Sequence, residues 1–234
     1  MKIYQHYSFD LWLTLIRPNP SFKQERAKFF FDRFNHRKIP LEKIIGIFSQ
    51  VDALCNAINE ATGKNMDAEE INLMVIGAMN EYDDSLKEVD PVQLYEEVEA
   101  LFLAYPPFVY DDKTIRALDA IYAATGKTGT FSILSNTAFI KGRTLRKILP
   151  GVGLEGFFHF ELFSDEVGLS KPNQALFRIL LNTVVSDRGE IDPTDIIHVG
   201  DNPIADEKGA KMAGISSFLI NSNDRRLSSL VPHP

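Results

Sequence analysis

The feature that most constrains the fold is an alternation of short β-rich runs with helical segments. It begins near residue 108 and continues towards the end of the chain. The β-rich runs lie at 130–134, 157–163, 195–200 and 216–220. Parallel strands need long, usually helical crossovers, so this alternation predicts a parallel sheet covered by helices. Residues 3–9 read as one further buried strand, and the expected fold class is therefore α/β.

Two proline-bearing breaks divide the chain. "RPNP" (17–20) and "YPPF" (105–108) interrupt it, and almost everything between them has a helical pattern. Helix starts are predicted at Ser21, at a capping box formed by Asp67 and Glu70, and at Asp90 followed by Pro91. We expect residues 1–16 and 108–234 to form an α/β core domain, and residues 17–107 to form an all-helical domain inserted into it.

Charge and composition exclude some classes of partner. The formal net charge is -7 without a Lys/Arg block, which argues against nucleic-acid binding. Neither an apolar run of membrane-spanning length nor a signal-peptide pattern is visible, so no membrane partner is expected. The single cysteine, Cys55, cannot form an internal disulfide and reads as a small apolar core residue. These features favour a cytoplasmic protein with a small-molecule ligand.

Polar residues follow four of the predicted strands. They are Asp10 after the first strand, Ser135 and Asn136 after the second, Lys171 in the loop after the third, and Asp201 after the fourth, with Asp206 shortly downstream. Taken singly, each is adequately explained as a turn residue, a helix cap or a solvated side chain. Ligands of open parallel sheets bind at the carboxyl ends of the strands, so together these residues predict a ligand site.

These residue types suit the transfer of a phosphoryl group to a carboxylate. A carboxylate can act as a covalent nucleophile, but its attack on a phosphate dianion is opposed by charge. Mg²⁺ held by oxygen ligands neutralises both groups, and Asp10 and Asp201 can supply such ligands. Lys171 can neutralise further oxygens, and Ser135 can hold them.

Four segments resemble the motifs of the haloacid dehalogenase (HAD) superfamily, over essentially the whole chain. In order they are "FDLWLTL", "ILSNT", "SKPNQALF" and "HVGDNPIADEKGAKMAG". The third and fourth motifs, in order after the first, are the specific part of the match. The resemblance implies a Rossmann-like core with a helical cap between the first and second motifs.

The resemblance also implies roles for individual residues. Asp10 would be the nucleophile and a Mg²⁺ ligand, Asp201 a second ligand, and Asp206 a support of the metal through water or another ligand. The transferred phosphoryl group would be bound by Ser135, Asn136 and Lys171, with Lys171 also in the catalytic set. Thr14 would order the loop after the nucleophile and contribute to the phosphate site.

Two positions depart from the superfamily pattern. Trp12 stands where a second Asp is usual, and Leu13 stands where Gly is usual. The usual Asp protonates the leaving group and later activates water, whereas its contact to the metal is made by the backbone carbonyl. Trp12 can therefore remain a metal ligand through its carbonyl while lacking the acid, which typically contributes ~10²–10⁴-fold.

Three functions remain open from the sequence. The first is a Mg²⁺-dependent hydrolase acting on a small phosphorylated metabolite. The second is a 2-haloacid dehalogenase, an enzyme that works without metal and has an aromatic residue, Tyr, at the position of Trp12. The third is a phosphate-binding regulatory protein with impaired catalysis, which Trp12 and Leu13 favour. The substrate and the oligomeric state stay open, and Arg33 and His36 of the first inserted helix are expected in solvent.

Overall fold

The computed structural model of the protein describes residues 2–231. In chain order the strands are β1 His6–Phe9, β2 Ile16–Arg17, β3 Phe108–Val109, β4 Thr130–Ser135, β5 Phe160–Phe163, β6 Ile196–Gly200 and β7 Ser216–Leu219. The α-helices are α1 Pro20–Phe34, α2 Leu41–Thr62, α3 Ala68–Met79, α4 Pro91–Ala104, α5 Thr114–Ala124, α6 Gly142–Ile148, α7 Ser164–Val167, α8 Gln174–Arg188 and α9 Gly209–Met212. A π-helical turn, Pro203–Lys208, leads directly into α9.

Five strands form one parallel sheet in the order β5-β4-β1-β6-β7. The central strand β1 is paired on both sides, so that Phe9 lies opposite Ile133 of β4 and Val199 of β6. All three side chains are fully buried, as expected when helices cover both faces of a parallel sheet. The α/β fold class predicted from the alternating pattern is confirmed.

A small antiparallel sheet stands where the chain leaves the core and returns to it. Its two strands, β2 and β3, pair Ile16 with Val109 and Arg17 with Phe108. The chain between them, residues 18–107, is called the helical insert below, and its α-helices are α1 to α4. The sheet lies at the two predicted domain boundaries, and the division into two domains stays a prediction. Strands of two residues are too short to give a recognisable alternation, and the sequence did not predict them.

One predicted helix start is wrong. The N-cap of α1 is not Ser21 but Asn19, two residues earlier, and the helix begins at Pro20. The Asn19 side-chain oxygen accepts a hydrogen bond from the Ser21 backbone N–H at 2.9 Å. Proline has no N–H to satisfy and a φ suited to the first helical position, so the helix starts there. The capping box at Asp67 and the helix start at Asp90 are confirmed.

The third predicted strand, 157–163, is longer than the observed β5. Pairing with β4 begins only at Phe160, opposite Ser132. The preceding residues form a turn in which Gly156 has a φ of 77°. Residues 157–159 follow this turn and lie outside the strand, so the aromatic run beginning at Phe157 is only partly strand.

Two further observations concern the chain as a whole. Cys55 lies buried on α2, in agreement with its expected place in the core. Within residues 2–231, no helix combines the length and the hydropathy needed to cross a lipid bilayer.

Candidate active site

Three strand ends place polar side chains next to one another. Asp10 follows β1, Ser135 ends β4 and Asp201 follows β6. Because β1 lies between β4 and β6, these residues share the carboxyl edge of the sheet. The Ser135 hydroxyl donates to Oδ1 of Asp10 at 3.0 Å, which confirms the contact between these two strand ends.

Lys171 lies at the centre of the cluster and is only 1% exposed. Its Nζ donates to Oδ1 of Asp10 at 2.8 Å, to Oδ1 of Asp206 at 2.6 Å and to the Leu134 carbonyl at 2.7 Å. Burial alone would lower the pKa of Lys171, but the two carboxylates more than offset it and raise the pKa above the ordinary value. Lys171 is therefore a permanent buried cation that joins Asp10 to Asp206.

Asp10 is buried, and both of its carboxylate oxygens are held. Oδ2 accepts a hydrogen bond from the Thr14 hydroxyl at 3.1 Å, while Oδ1 faces Lys171 and Ser135. Burial raises the pKa of Asp10, and the Lys171 charge opposes that shift. These contacts fix the carboxylate in one orientation and join it to Thr14 in the loop that follows.

Asp206 is anchored from two sides. Its Oδ1 pairs with Nε2 of His198 at 3.0 Å in addition to Lys171, and its Oδ2 accepts from the Asn202 backbone N–H at 2.9 Å. Burial would raise the pKa of Asp206, but Lys171 and His198 outweigh it and hold the pKa below its usual range. A Cβ on Gly200 would lie 2.1 Å from Asp206 Oδ2, so this approach requires glycine.

Asp10, Asp201 and Asp206 form a group with oxygens within 4.8 Å of one another. Burial, followed by the nearby Asp10 and Asp206, raises the pKa of Asp201 to about 7. Lys171 supplies a single positive charge to three carboxyl groups. The excess negative charge of the cluster would therefore be balanced by a bound cation. Closely spaced carboxylate oxygens are the donor set that Mg²⁺ prefers, so these residues fit the expected metal.

The Asn136 side chain is engaged with the backbone of Lys171. Its Oδ1 accepts from the Lys171 N–H at 2.7 Å, and its Nδ2 donates to the Lys171 carbonyl at 3.1 Å. The amide thus fixes the loop that carries the ammonium. A direct contact between Asn136 and a phosphate oxygen stays a prediction.

The two unusual positions of the first motif differ in their environment. The half-buried Trp12 ring packs edge-on against Phe102 of α4, with ring centroids 6.2 Å apart. Within residues 2–231, no hydrogen bond ends on the Trp12 carbonyl, which leaves it free as a ligand. Leu13 is 47% exposed and has a φ of 57°, in the left-handed region that favours glycine.

A cavity of about 360 Å³ lies between the strand ends and the helical insert. Asp10, Lys171 and Asp201 line it on the core side, while aromatic residues and a few charged side chains of the insert line the other side. The insert is hydrogen-bonded to the core beside the cavity, where Nδ2 of Asn202 donates to Glu60 at 2.8 Å.

Arg33 and His36 are exposed and do not line the cavity, as expected. Arg33 instead forms an ion pair with Glu97. His198 and Arg26 were not predicted from the sequence, although a local pattern marks each of them. His198 interrupts the apolar run of β6, and Arg26 stands four residues from both Phe22 and Phe30, on the apolar face of α1.

Comparisons with known proteins identify the family of the chain. A family model of haloacid dehalogenase-like hydrolases matches residues 5–214. The chain belongs to this family of hydrolases.

Two curated relatives match over shorter segments. The haloacid dehalogenase-like hydrolase domain-containing protein 3 of Mus musculus is 37% identical over 82 residues, which cover 35% of this chain and 31% of the relative. The phosphoserine phosphatase of Thermus thermophilus is 37% identical over 76 residues, or 32% and 28% of the two chains. The matched segments thus span about a third of the length of these relatives.

Solved structures show the same fold. The magnesium-bound HAD-hydrolase YfnB of Bacillus subtilis superposes with a TM-score of 0.67 at 20% identity and covers 96% of this chain and 92% of its own. A 2-haloacid dehalogenase of Pseudomonas syringae superposes with a TM-score of 0.59 at 22% identity. The match covers 97% of this chain and 96% of the dehalogenase. At these identities the likeness establishes the fold, which a magnesium-bound hydrolase and a dehalogenase share.

Proposed function

We propose that the chain is a Mg²⁺-dependent phosphatase that transfers a phosphoryl group from a small phosphorylated metabolite to Asp10. The observation that carries the proposal is the grouping of Asp10 with two further carboxylates and a buried lysine. A carboxylate that attacks a neutral carbon centre has little need of two more acids beside it. A carboxylate that attacks a phosphate dianion needs cations, which these acids hold or attract.

In the first step, a carboxylate oxygen of Asp10 attacks phosphorus and the bond from phosphorus to the ester oxygen breaks. The Lys171 ammonium lies 2.8 Å from Oδ1 of Asp10, where it offsets the charge that accumulates on the phosphoryl oxygens. Ser135, which donates to the same oxygen, is placed to hydrogen-bond the phosphoryl group. Asp10, Asp201 and the Trp12 carbonyl would hold Mg²⁺, which supplies charge neutralisation and orients the phosphate. Asp206, held by Lys171 and His198, would support the metal indirectly.

In the second step, water attacks phosphorus in the aspartyl phosphate, which releases inorganic phosphate and restores the Asp10 carboxylate. The usual second Asp would take a proton from that water, and in the first step it would give one to the leaving oxygen. The indole of Trp12 does neither. Esters with good leaving groups should therefore react well in the first step, and the second step should be slow.

The relatives support the same reaction class. One of the curated relatives is a phosphoserine phosphatase, and one structural neighbour is bound to magnesium. The acidic balance of the chain also fits a small ligand in place of a nucleic acid. We accordingly assign the chain to the phosphoric monoester hydrolases of the family, with Mg²⁺ as cofactor.

Hydrolysis of an aryl phosphate with Mg²⁺ and with a chelator tests the proposal. Turnover should require Mg²⁺ and should fall to background in Asp10→Asn, which keeps the side-chain shape but removes the attacking charge. The matched control is Asp119→Asn, because Asp119 is exposed on α5 and does not line the cavity. Equal turnover of wild type and Asp10→Asn would disprove the covalent mechanism.

The second candidate is a 2-haloacid dehalogenase. The Trp12 ring lines the cavity together with aromatic residues of the insert, and such a lining suits a carbon–halogen bond. In that reaction Asp10 displaces halide from carbon, and water then cleaves the resulting ester. Halide release from 2-chloropropionate in the presence of a chelator, without Mg²⁺-dependent phosphatase activity, would favour this candidate.

A further inference from the structure

Arg26 is a buried cation in the helical insert. It lies on α1, and the residue is 7% exposed. Three aromatic rings surround its guanidinium carbon, with centroid distances of 4.1 Å to Phe48, 4.3 Å to Phe139 and 4.9 Å to Phe22. The rings stabilise a positive charge, but they accept no conventional hydrogen bonds from its N–H groups.

In the part of the chain that the structure describes, the guanidinium has no hydrogen-bond acceptor. Within residues 2–231, Arg26 makes no side-chain hydrogen bond or ion pair, and its Nε is fully buried without a partner. Burial lowers the pKa of Arg26 to about 9, which leaves it cationic at neutral pH. Burying a charge without a hydrogen-bonding partner is costly. Arg26 is thus an unusual residue to retain for stability alone.

Arg26 lines the same cavity as Asp10 and Lys171. Three other charged residues of the insert, Lys23, Asp52 and Glu60, also line the cavity. The charge of Asp52 opposes the lowering of the Arg26 pKa, while burial raises the pKa of the Asp52 carboxyl group. The two acids balance the two basic residues in number, but Glu60 is engaged by Asn202, whereas the buried Nε of Arg26 has no partner among the described residues. An anion in the cavity would supply the acceptor that Arg26 lacks.

We infer that Arg26 binds a second anionic group of the substrate, a carboxylate or a second phosphate, on the insert side of the cavity that Asp10 lines from the core. A planar guanidinium presents paired N–H groups that match two oxygens of such an anion. The rings of Phe22, Phe48 and Phe139 would surround this contact and exclude water from it. The inference rests on the proposed phosphatase function and narrows its substrate class to phosphomonoesters that carry another oxyanion.

Matched substrate pairs test the inference. One series consists of phosphomonoesters of ω-hydroxy acids with two to six carbons, and the other of monophosphates of the corresponding diols. Wild type should prefer the acid at one or more chain lengths, chiefly through a lower KM. In Arg26→Met that preference should fall about 10- to 100-fold, the range expected for hydrogen bonds to a charged group. Bisphosphates of the same diols show whether phosphate replaces carboxylate.

Arg33→Met is the matched control, since it removes a guanidinium from the same helix but outside the cavity. It should retain the wild-type preference. Arg26→Lys keeps the charge without the paired donors, so its preference should be intermediate. The melting temperature adds an independent readout, because the apolar Arg26→Met should melt no lower than wild type if Arg26 serves binding. A lower melting temperature with an unchanged preference would make Arg26 a packing residue and overturn the inference.

Binding measurements separate this inference from the proposed function. Calorimetry with Asp10→Asn compares each acid with its diol partner, and no turnover is needed. Tighter binding of an acid, lost in Asp10→Asn/Arg26→Met, supports the Arg26 site even if aryl phosphatase activity is absent. Equal binding of acid and diol at every chain length would refute the site even if that activity is present.

Discussion

Replacing Trp12 by Asp and Leu13 by Gly should convert the chain into a better alkyl phosphatase. The change restores the acid of the superfamily pattern at the position next to the cavity. General acid–base catalysis typically contributes ~10²–10⁴-fold. The gain for alkyl phosphates should reach ~10²-fold, equivalent to about 3 kcal/mol of barrier. Aryl phosphates, whose leaving groups need no proton, should gain much less.

The double variant should lose only a little folding stability. The Trp12–Phe102 ring pair is worth about 0.5–1.5 kcal/mol beyond its buried area. Leu13 has a φ of 57°, a conformation that costs a residue with a Cβ about 1–2 kcal/mol, and glycine removes this strain. The flexibility of glycine in the unfolded chain offsets about 0.5–1 kcal/mol of that relief. The variant should therefore stay folded, with a lower melting temperature.

The assay compares kcat for an alkyl and an aryl phosphate in wild type, in the double variant and in a control that carries Asn at position 12 with Gly at position 13. The control has the same shape as the double variant but no transferable proton, and it should show no gain. Wild type should release the aryl alcohol in a burst, because attack of water on the intermediate lacks its base. Similar wild-type rates on both substrates, without a burst, would refute the reasoning. Asp52 and Glu60, which also line the cavity, would then be the groups to examine as proton donors.

Two further predictions concern the metal and pH. Asp201→Ala should weaken Mg²⁺ binding strongly in calorimetry while Trp12→Phe, which keeps the backbone carbonyl, should not, and equal losses would contradict the proposed ligand set. Burial is the chief cause that lowers the pKa of the fully buried His6 to about 3. In the unfolded chain this pKa is 6.5, so the unfolded chain binds a proton near that pH and the folded chain does not. Stability should fall as pH falls through this window. Wild type should lose about 2 kcal/mol more than His6→Gln between pH 7 and pH 5 in urea unfolding. The exposed His36→Gln should behave like wild type, and equal losses in wild type and His6→Gln would refute the assignment.

The sequence predicted the candidate site residues that directly follow strands. It did not predict those whose contacts depend on the packing of distant segments. Asp10 and Ser135 were found because parallel strands bring their carboxyl ends together, and this holds without knowledge of the packing. The role of His198 depends on an Asp206 carboxylate that only the three-dimensional structure brings to it. Arg26 was overlooked because an arginine on a helix is normally solvated, and only the packing of α1 shows that it is buried.

The small sheet of β2 and β3 was not predicted from the sequence for a different reason. β2 and β3 contain two residues each, and their pairing depends on where the chain leaves and re-enters the core. No local pattern encodes such a contact. The start of α1 was predicted two residues too late for a local reason, because a Pro at the first helical position outweighs the capping preference of Ser21.

Direct detection of a phosphorylated Asp10 tests the central claim most closely. The protein is mixed with an aryl phosphate and Mg²⁺, quenched in acid within the first turnover, and examined by mass spectrometry of the intact chain and of its peptides. The account predicts one added phosphoryl group on the peptide that contains Asp10, dependent on Mg²⁺ and absent from Asp10→Asn. Turnover without this adduct in the wild-type enzyme, or with the phosphoryl group on another residue, would contradict the account.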